Sequence, residues 1–349
     1  MSIVIESSKA TRPFVVRYGA LGDMVMLTAL IRHLYIRFGQ PVDVLASGSW
    51  TRPLLEGQPG VGNLFIVGSR NTPYWLSADQ QRLVRQLRAR RPSATWLGDV
   101  DNLKTQQLLS RAGWSAQHSH EWTGIPGPHL CDMFLRFAYR DPKVLGGLEQ
   151  PMTATDAYGL LHVTEQLRTE LDTWLQTRQL AHQPLILIQP GNKRTMRRGM
   201  RRRVSNTKYW PEKNWATVLR GLRERHADHA ILMLGVPQEA SLNDEIIQVA
   251  NVSNVHNVAH ELPIPRLMAL AQRARGTISV DTGPAHLVAA VGGAVVTLFG
   301  KSNPLMYAPR GPNARVACLT GAHAGEQSML GITPEEVLAA WNAQHRRDL

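Results

Sequence analysis

Four glycine-bearing turns hold the residues best suited to chemistry. The most developed is Val280-Asp281-Thr282-Gly283-Pro284-Ala285-His286. Thr282 can cap a helix, Gly283 lacks the Cβ that would keep the backbone away from a phosphate, and Pro284 suits a first helical turn. A helix opening in this way presents N–H groups and a positive dipole end to an anion. The same residues also compose an ordinary βα turn with His286 as a satisfied helix histidine, and both readings stand at this point. The second turn, Gly19-Ala20-Leu21-Gly22-Asp23, sets a carboxylate in the first turn of a helix, where it serves either as a proton acceptor or as a helix cap. Gln189 to Asn192 is the third, with Asn192 a candidate contact to the acceptor or a diphosphate. The fourth runs from Gly235 to Glu239, whose carboxylate suits ribose hydroxyls or simply offsets a helix dipole.

The elements that would position these turns alternate between strand and helix. Phe14 to Arg17 reads as a buried strand, and Leu27, Leu30, Ile31, Leu34, Tyr35 and Phe38 then recur at helical spacing up to Gly39. Strands are expected at 42–46, 64–67 and 95–97, and helices at 77–89, 103–112 and 129–139. Periodicity weakens from about residue 114 to 164, where Gly and Pro accumulate, so the domain boundary belongs late in that stretch. Alternation then restarts. Strands are expected at 185–189, 230–234, 255–258, 277–280 and 295–299. Helices are expected at 213–225, 239–250, 264–274, 283–291 and 333–344. Parallel strands need crossover helices, so the expectation is two doubly wound α/β domains, 1–160 and 161–349, facing each other across a cleft. Ligands of such sheets bind outside the carboxyl ends of the strands, where all four turns fall.

Composition narrows the alternatives. The 349 residues are 43% hydrophobic and 19% charged, which is ordinary for a globular chain. No apolar run approaches the ~20 residues of a membrane span, and the N-terminus lacks a secretory pattern, so a cytoplasmic location is expected. Two isolated cysteines, Cys131 and Cys318, fit a reducing compartment and exclude a Cys-rich metal site. The histidines form no zinc-binding pattern and no phosphate-binding Walker loop occurs, so no metal and no cofactor are expected. The net charge of +12 falls to +5 without Lys193 to Arg203, which carries one Lys and six Arg. The basic character therefore belongs to one loop. Arg197 and Arg198 in it are candidates for contact with an anionic acceptor or diphosphate, the loop as a whole for peripheral contact with an anionic membrane, and a solvated loop is the plain alternative. A nucleic-acid-binding protein using this run is the rival outside enzymology, but no recognition motif accompanies it, so no nucleic-acid partner is expected.

The order of the pieces resembles glycosyltransferase family 9, the ADP-heptose:lipopolysaccharide heptosyltransferases. RYGALGDMVMLTALIRHL, KYWPEKNW, LGVPQE and VDTGPAHLVAAVGGAVVTLFGKSNP carry the resemblance across both halves. It implies a GT-B fold with two Rossmann-like domains and inverting, metal-free transfer of heptose from ADP-heptose to a lipopolysaccharide core acceptor at the inner face of the inner membrane. The acceptor would sit on the N-terminal domain and the nucleotide sugar on the C-terminal one. Asp23 corresponds to the general base, with Gly19 and Gly22 beside it. Lys208 corresponds to a cation on the donor pyrophosphate, with Glu239, Asp281, Thr282, Gly283 and His286 completing the donor site. Tyr209, Trp210 and Trp215 read as packing residues and Pro211 as a helix start. Two features depart from the family pattern: the arginine-rich segment before Lys208, and Lys301 where proline is common. They leave open a different nucleotide sugar or acceptor on the same fold.

Overall fold

Strands and helices alternate throughout the computed structural model, which describes residues 12–69, 72–99, 102–192 and 206–345. The chain divides into two units, Met1–Leu160 and Leu161–Leu349. The first is built from β1 (Phe14–Val16), α1 (Leu21–Phe38), β2 (Val42–Ser47), α2 (Thr51–Leu55), β3 (Val61–Val67) and α3 (Ala78–Arg90), followed by β4 (Thr95–Leu97), α4 (Leu103–Arg111), β5 (Ser119–Glu121) and α5 (Leu130–Ala138). All five strands are parallel, in the order β3-β2-β1-β4-β5. Side chains alternate across such a sheet. Phe14 and Val16 join Leu45, Phe65, Leu83, Leu87, Leu97, Leu108 and Trp114 in one buried cluster. On α1, the turn formed by Gly39 in the left-handed region (φ +62°) ends the helix, its N–H bonding to the Tyr35 carbonyl at 2.8 Å.

The second unit holds α6 (Glu165–Thr177), β6 (Leu185–Gln189), α7 (Glu212–Arg225), β7 (Ala230–Met233), α8 (Ala240–Ala250), β8 (Val255–Asn257) and α9 (Ile264–Arg273). It continues with β9 (Gly276–Val280), α10 (Gly283–Ala290), β10 (Val295–Phe299), α11 (Pro304–Tyr307), β11 (Val316–Thr320), a small hairpin of β12 (Ala322–His323) and β13 (Glu326–Gln327), and α12 (Pro334–His345). The six-stranded sheet is parallel throughout, in the order β11-β10-β9-β6-β7-β8. Every residue of β6, β9 and β10 is buried, as expected for strands covered on both faces by helices. In both sheets the chain starts in the middle, winds outward to one side and then returns to the other. The order therefore reverses between β1 and β4 and again between β6 and β9. At these two places the loops after adjacent strands turn apart and leave a crevice.

Seven elements, α2, α6, α11, β5, β11, β12 and β13, have no counterpart in the periodicity of the sequence. α2 is only five residues long, and β5 (Ser-His-Glu) is a polar edge strand. α6 is largely polar, with only Leu171, Trp174 and Leu175 buried, and β11 is a half-exposed edge. Among the described residues no helix is long and apolar enough to cross a membrane.

Candidate active site

In the first unit the turn between β1 and α1 brings Asp23 to the third position of the helix. Its Oδ2 accepts the backbone N–H of Ala20 at 2.9 Å, so the side chain folds back over the helix start. This requires the glycine at position 19, because a Cβ there would lie 2.6 Å from the Cβ of Asp23. Alanine at the cap position has no polar side chain, and Asp23 supplies the return half of a capping arrangement. Oδ1 accepts no hydrogen bond from the described residues and Asp23 is only half-buried, so one carboxylate oxygen is available to a ligand. Gly22 is buried within the first turn of α1. Across the turn, the Trp50 indole N–H donates to the Gly19 carbonyl at 3.1 Å.

In the second unit the crevice between β6 and β9 gathers residues that are far apart in sequence. The Lys208 ammonium lies 2.7 Å from Asp281 Oδ2 and donates to the Asp281 carbonyl at 2.7 Å. Asp281 is 4% exposed, and its other oxygen is 4.0 Å from Nε2 of buried His286. A buried carboxylate thus anchors a half-exposed lysine beside the first turn of α10. Thr282 does not cap that helix, contrary to the sequence expectation. Its hydroxyl turns back to the Val280 carbonyl at 3.1 Å, in reach of Ser279 Oγ at 3.3 Å. The strand end offers a nearer acceptor than the helix offers a donor, since Pro284 has no N–H and Ala285 N–H already bonds to the Thr282 carbonyl. Thr282, Gly283 and Pro284 remain half-exposed, leaving the start of the helix open.

The backbone around Lys208 is held tightly. Asn206 Oδ1 accepts the Lys208 N–H at 3.2 Å, Asn206 Nδ2 reaches Asn192 Oδ1 at 3.3 Å, and Asn192 Nδ2 reaches the Lys208 carbonyl at 3.4 Å. These amides tie together the two ends of the segment that contains the arginine run. Residues 193–205, including Arg197 and Arg198, lie outside the described residues. Gly300, just after β10, packs its bare Cα against the Thr207 carbonyl, where any Cβ would overlap. Behind them Trp210 and Trp215 are buried edge to face at 4.9 Å, with the Trp210 N–H on the Ile332 carbonyl at 3.0 Å, and Pro211 opens α7. Tyr209 donates to Glu212 at 2.6 Å. Lys301 pairs with Glu326 on the surface at 2.8 Å.

Glu239 is 4% exposed at the ends of β6 and β7. Its Oε2 accepts the Val236 N–H at 3.0 Å and the Gln189 amide at 3.4 Å. Burial pushes its carboxyl above the usual range, partly offset by those two donors. Gly191 and Gly235 close on it from two sides, with added Cβ atoms falling 3.1 and 2.9 Å from carboxylate atoms. Directly beside it opens a cavity of about 520 Å³ lined by Gly235, Val236, Pro237, Ala259–Pro263 and Arg266. The sequence reading missed this cavity and Asn206. Two prolines around a helix start, Pro263 and Pro265, and a chain passing Ala259 at a strand end were its only signals. Glu261 in its wall is occupied by Arg178 and by the Trp174 N–H at 2.8 Å. Among the described residues no group of three or more His, Cys, Asp or Glu is arranged to hold a metal ion.

Two parallel doubly wound sheets, each with its polar residues at the strand-order reversal, are the architecture of GT-B glycosyltransferases. The signature of glycosyltransferase family 9 (heptosyltransferase) matches residues 134–334, more than half of the chain, and the protein belongs to that family. The chain is 23% identical over 352 residues to lipopolysaccharide heptosyltransferase 2 of Escherichia coli K12, covering 93% of this chain and 95% of that one. It superposes on the structure of E. coli ADP-heptose lps heptosyltransferase II with a TM-score of 0.74 and 22% identity, covering 97% and 99% of the two chains. It superposes likewise on E. coli heptosyltransferase WaaC with ADP, with a TM-score of 0.69 and 16% identity over 95% and 99%. The protein is therefore a glycosyltransferase of GT-B fold.

Proposed function

We propose that the protein transfers heptose from ADP-heptose to a lipopolysaccharide core acceptor by an inverting, metal-independent reaction with Asp23 as general base. The observation that carries this reading is the Lys208–Asp281 pair beside the open start of α10, in the crevice between β6 and β9 of a family 9 chain. The names of the relatives supply the donor and the acceptor class.

In this reading the adenine occupies the cavity beside Ala259 and Arg266, and the ribose hydroxyls meet Glu239. The diphosphate lies against Thr282, Gly283 and Lys208. Asp281 and His286 position that lysine and do not touch the anion themselves, because a carboxylate facing a diphosphate without an intervening cation is repulsive. As the bond from the anomeric carbon to the β-phosphate oxygen breaks, negative charge accumulates on ADP. A fixed ammonium and the positive end of the α10 dipole stabilise that charge without reorganising, which is the service a metal ion would otherwise perform. Asp23 Oδ1 takes the proton of the acceptor hydroxyl while its oxygen attacks the opposite face of the anomeric carbon.

The test is a mass-spectrometric screen of nucleotide sugars for protein-dependent loss, with and without a lipopolysaccharide core acceptor. Acceptor-dependent consumption of ADP-heptose with release of ADP is the expected result. Consumption of a different nucleotide sugar would keep the mechanism and replace the donor. Consumption of none, or full activity only after metal addition to chelated protein, would overturn the proposal.

A further inference from the structure

The best-placed unused group lies in the crevice of the first sheet. Arg17 follows β1 directly, six residues before Asp23. Its side chain crosses to β4, where Nη1 donates to the Gly98 carbonyl at 2.6 Å. Gly98 makes room for it, since a Cβ there would lie 3.0 Å from Arg17 Cδ. The crossing therefore spans the place where the strand order reverses.

Arg17 differs from four other arginines that cross between parts of this unit. Arg12 and Arg90 share Asp43, Arg32 pairs with Asp156 and Arg37 with Asp141, at 2.5–2.9 Å. No carboxylate of the described residues pairs with Arg17. Its Nε is shut off from water and has no hydrogen-bond partner, and Nη2 donates to none of the described residues. With Nη1 committed to Gly98 and Nε enclosed by the protein, Nη2 is the donor left to a ligand, a charge-assisted N–H held in place by the bond to Gly98 and suited to an oxygen of a carboxylate or phosphate. A half-buried cation to which the described residues bring no counter-ion is costly to maintain, and its site borders the half-buried turn of the proposed base.

We propose that Arg17 is an acceptor-binding residue that grips an oxyanion of the acceptor glycan, a carboxylate or a phosphate monoester, and thereby sets the reacting hydroxyl against Asp23. This rests on the reading of the first unit as the acceptor side. It adds a residue and a recognised chemical group that the base assignment does not require.

The test uses four forms of lipopolysaccharide core acceptor: native, carboxyl-reduced, dephosphorylated, and both. Wild-type activity on the native form is established first, because its absence would defeat the functional reading and not this inference. With the native acceptor, Arg17→Gln is expected to raise KM by roughly 10- to 100-fold, the worth of a charge-assisted hydrogen bond or two. ADP affinity by calorimetry should be unchanged. Arg17→Lys keeps the charge but cannot both hold the Gly98 carbonyl and present a fixed N–H, and should give an intermediate KM. Loss of the wild-type advantage on the carboxyl-reduced form alone identifies a carboxylate, and on the dephosphorylated form alone a phosphate. An unchanged KM in both variants, or a difference that persists at full size on the doubly modified acceptor, overturns the proposal. If Arg17→Gln fails to fold, Arg17→Lys on the four acceptors decides the matter by the same comparison.

Discussion

Replacing Asp23 separates the helix-start bond made by one carboxylate oxygen from the base role proposed for the other. Oδ2 holds the Ala20 N–H at 2.9 Å, and Oδ1 has no partner among the described residues. Asp23→Asn can keep the bond to Ala20 through its carbonyl oxygen while losing basicity, whereas Asp23→Ala loses both. A helix-start bond of this kind is worth about 1 kcal/mol, so Asp23→Ala should lower Tm by roughly 2–4 °C in a unit of this size. Asp23→Asn should lose less. General-base catalysis is worth about 10² to 10⁴ in rate, or roughly 3–5 kcal/mol of transition-state stabilisation. Both variants should therefore lose at least ~100-fold in turnover at saturating acceptor, with ADP affinity unaltered since the donor residues lie in the other unit. Thermal denaturation, calorimetry with ADP and steady-state turnover on the same preparations give the three readouts. The decisive comparison is Asp23→Asn: near-normal turnover in a stable protein would reduce Asp23 to a helix-start residue and refute the base assignment. Turnover that falls only in proportion to lost stability would do the same.

Three further outcomes test the donor side and the packing behind it. Lys208→Ala and Thr282→Val should both weaken ADP binding, the lysine variant by roughly 10-fold or more, the loss of a charge-assisted contact, and calorimetry that finds ADP affinity intact in both would move the diphosphate elsewhere. Gly300→Ala should displace the Thr207 carbonyl and with it Lys208, costing about 1–3 kcal/mol of stability and slowing transfer although residue 300 is not assigned to the substrate; normal activity and Tm would show that the contact is dispensable. His226 accepts the Trp341 N–H at 3.1 Å, and its pKa is pushed down to about 4 by burial first and then by the charges of His229, Arg275 and His345. Between pH ~6.5 and ~4 the unfolded chain holds a proton that the native one excludes, so stability should fall as pH falls through that window, by up to ~1.4 kcal/mol per pH unit for one proton. His226→Gln should flatten that slope in denaturation curves across the same range, and an identical slope would remove His226 as its cause.

Local chemistry along the chain was enough for the fold class and for the choice of candidate residues to examine. The strands at 95–97, 185–189 and 295–299 coincide with the expected runs because buried parallel strands are short, apolar and bounded by turns. Helix starts and stops at Pro211, Pro284 and Gly39 were legible because proline and glycine act on the backbone within one turn. Elements whose stability comes from neighbours were not legible: β5 and β11 exist because an adjacent strand offers its hydrogen bonds, and α6 buries too narrow a stripe to mark itself. The same distinction governs the site. Sequence motifs identified Lys208, Asp281 and Glu239 separately, but only folding put the lysine on the aspartate across 73 positions. Tertiary structure also placed Gly300 under Thr207, opened a cavity beside Glu239, turned the Thr282 hydroxyl away from its helix and left Arg17 with no carboxylate partner among the described residues. Each of these depends on which groups meet across the strand ends, and that is set by the order of strands in the sheet, a long-range choice that no local spacing encodes.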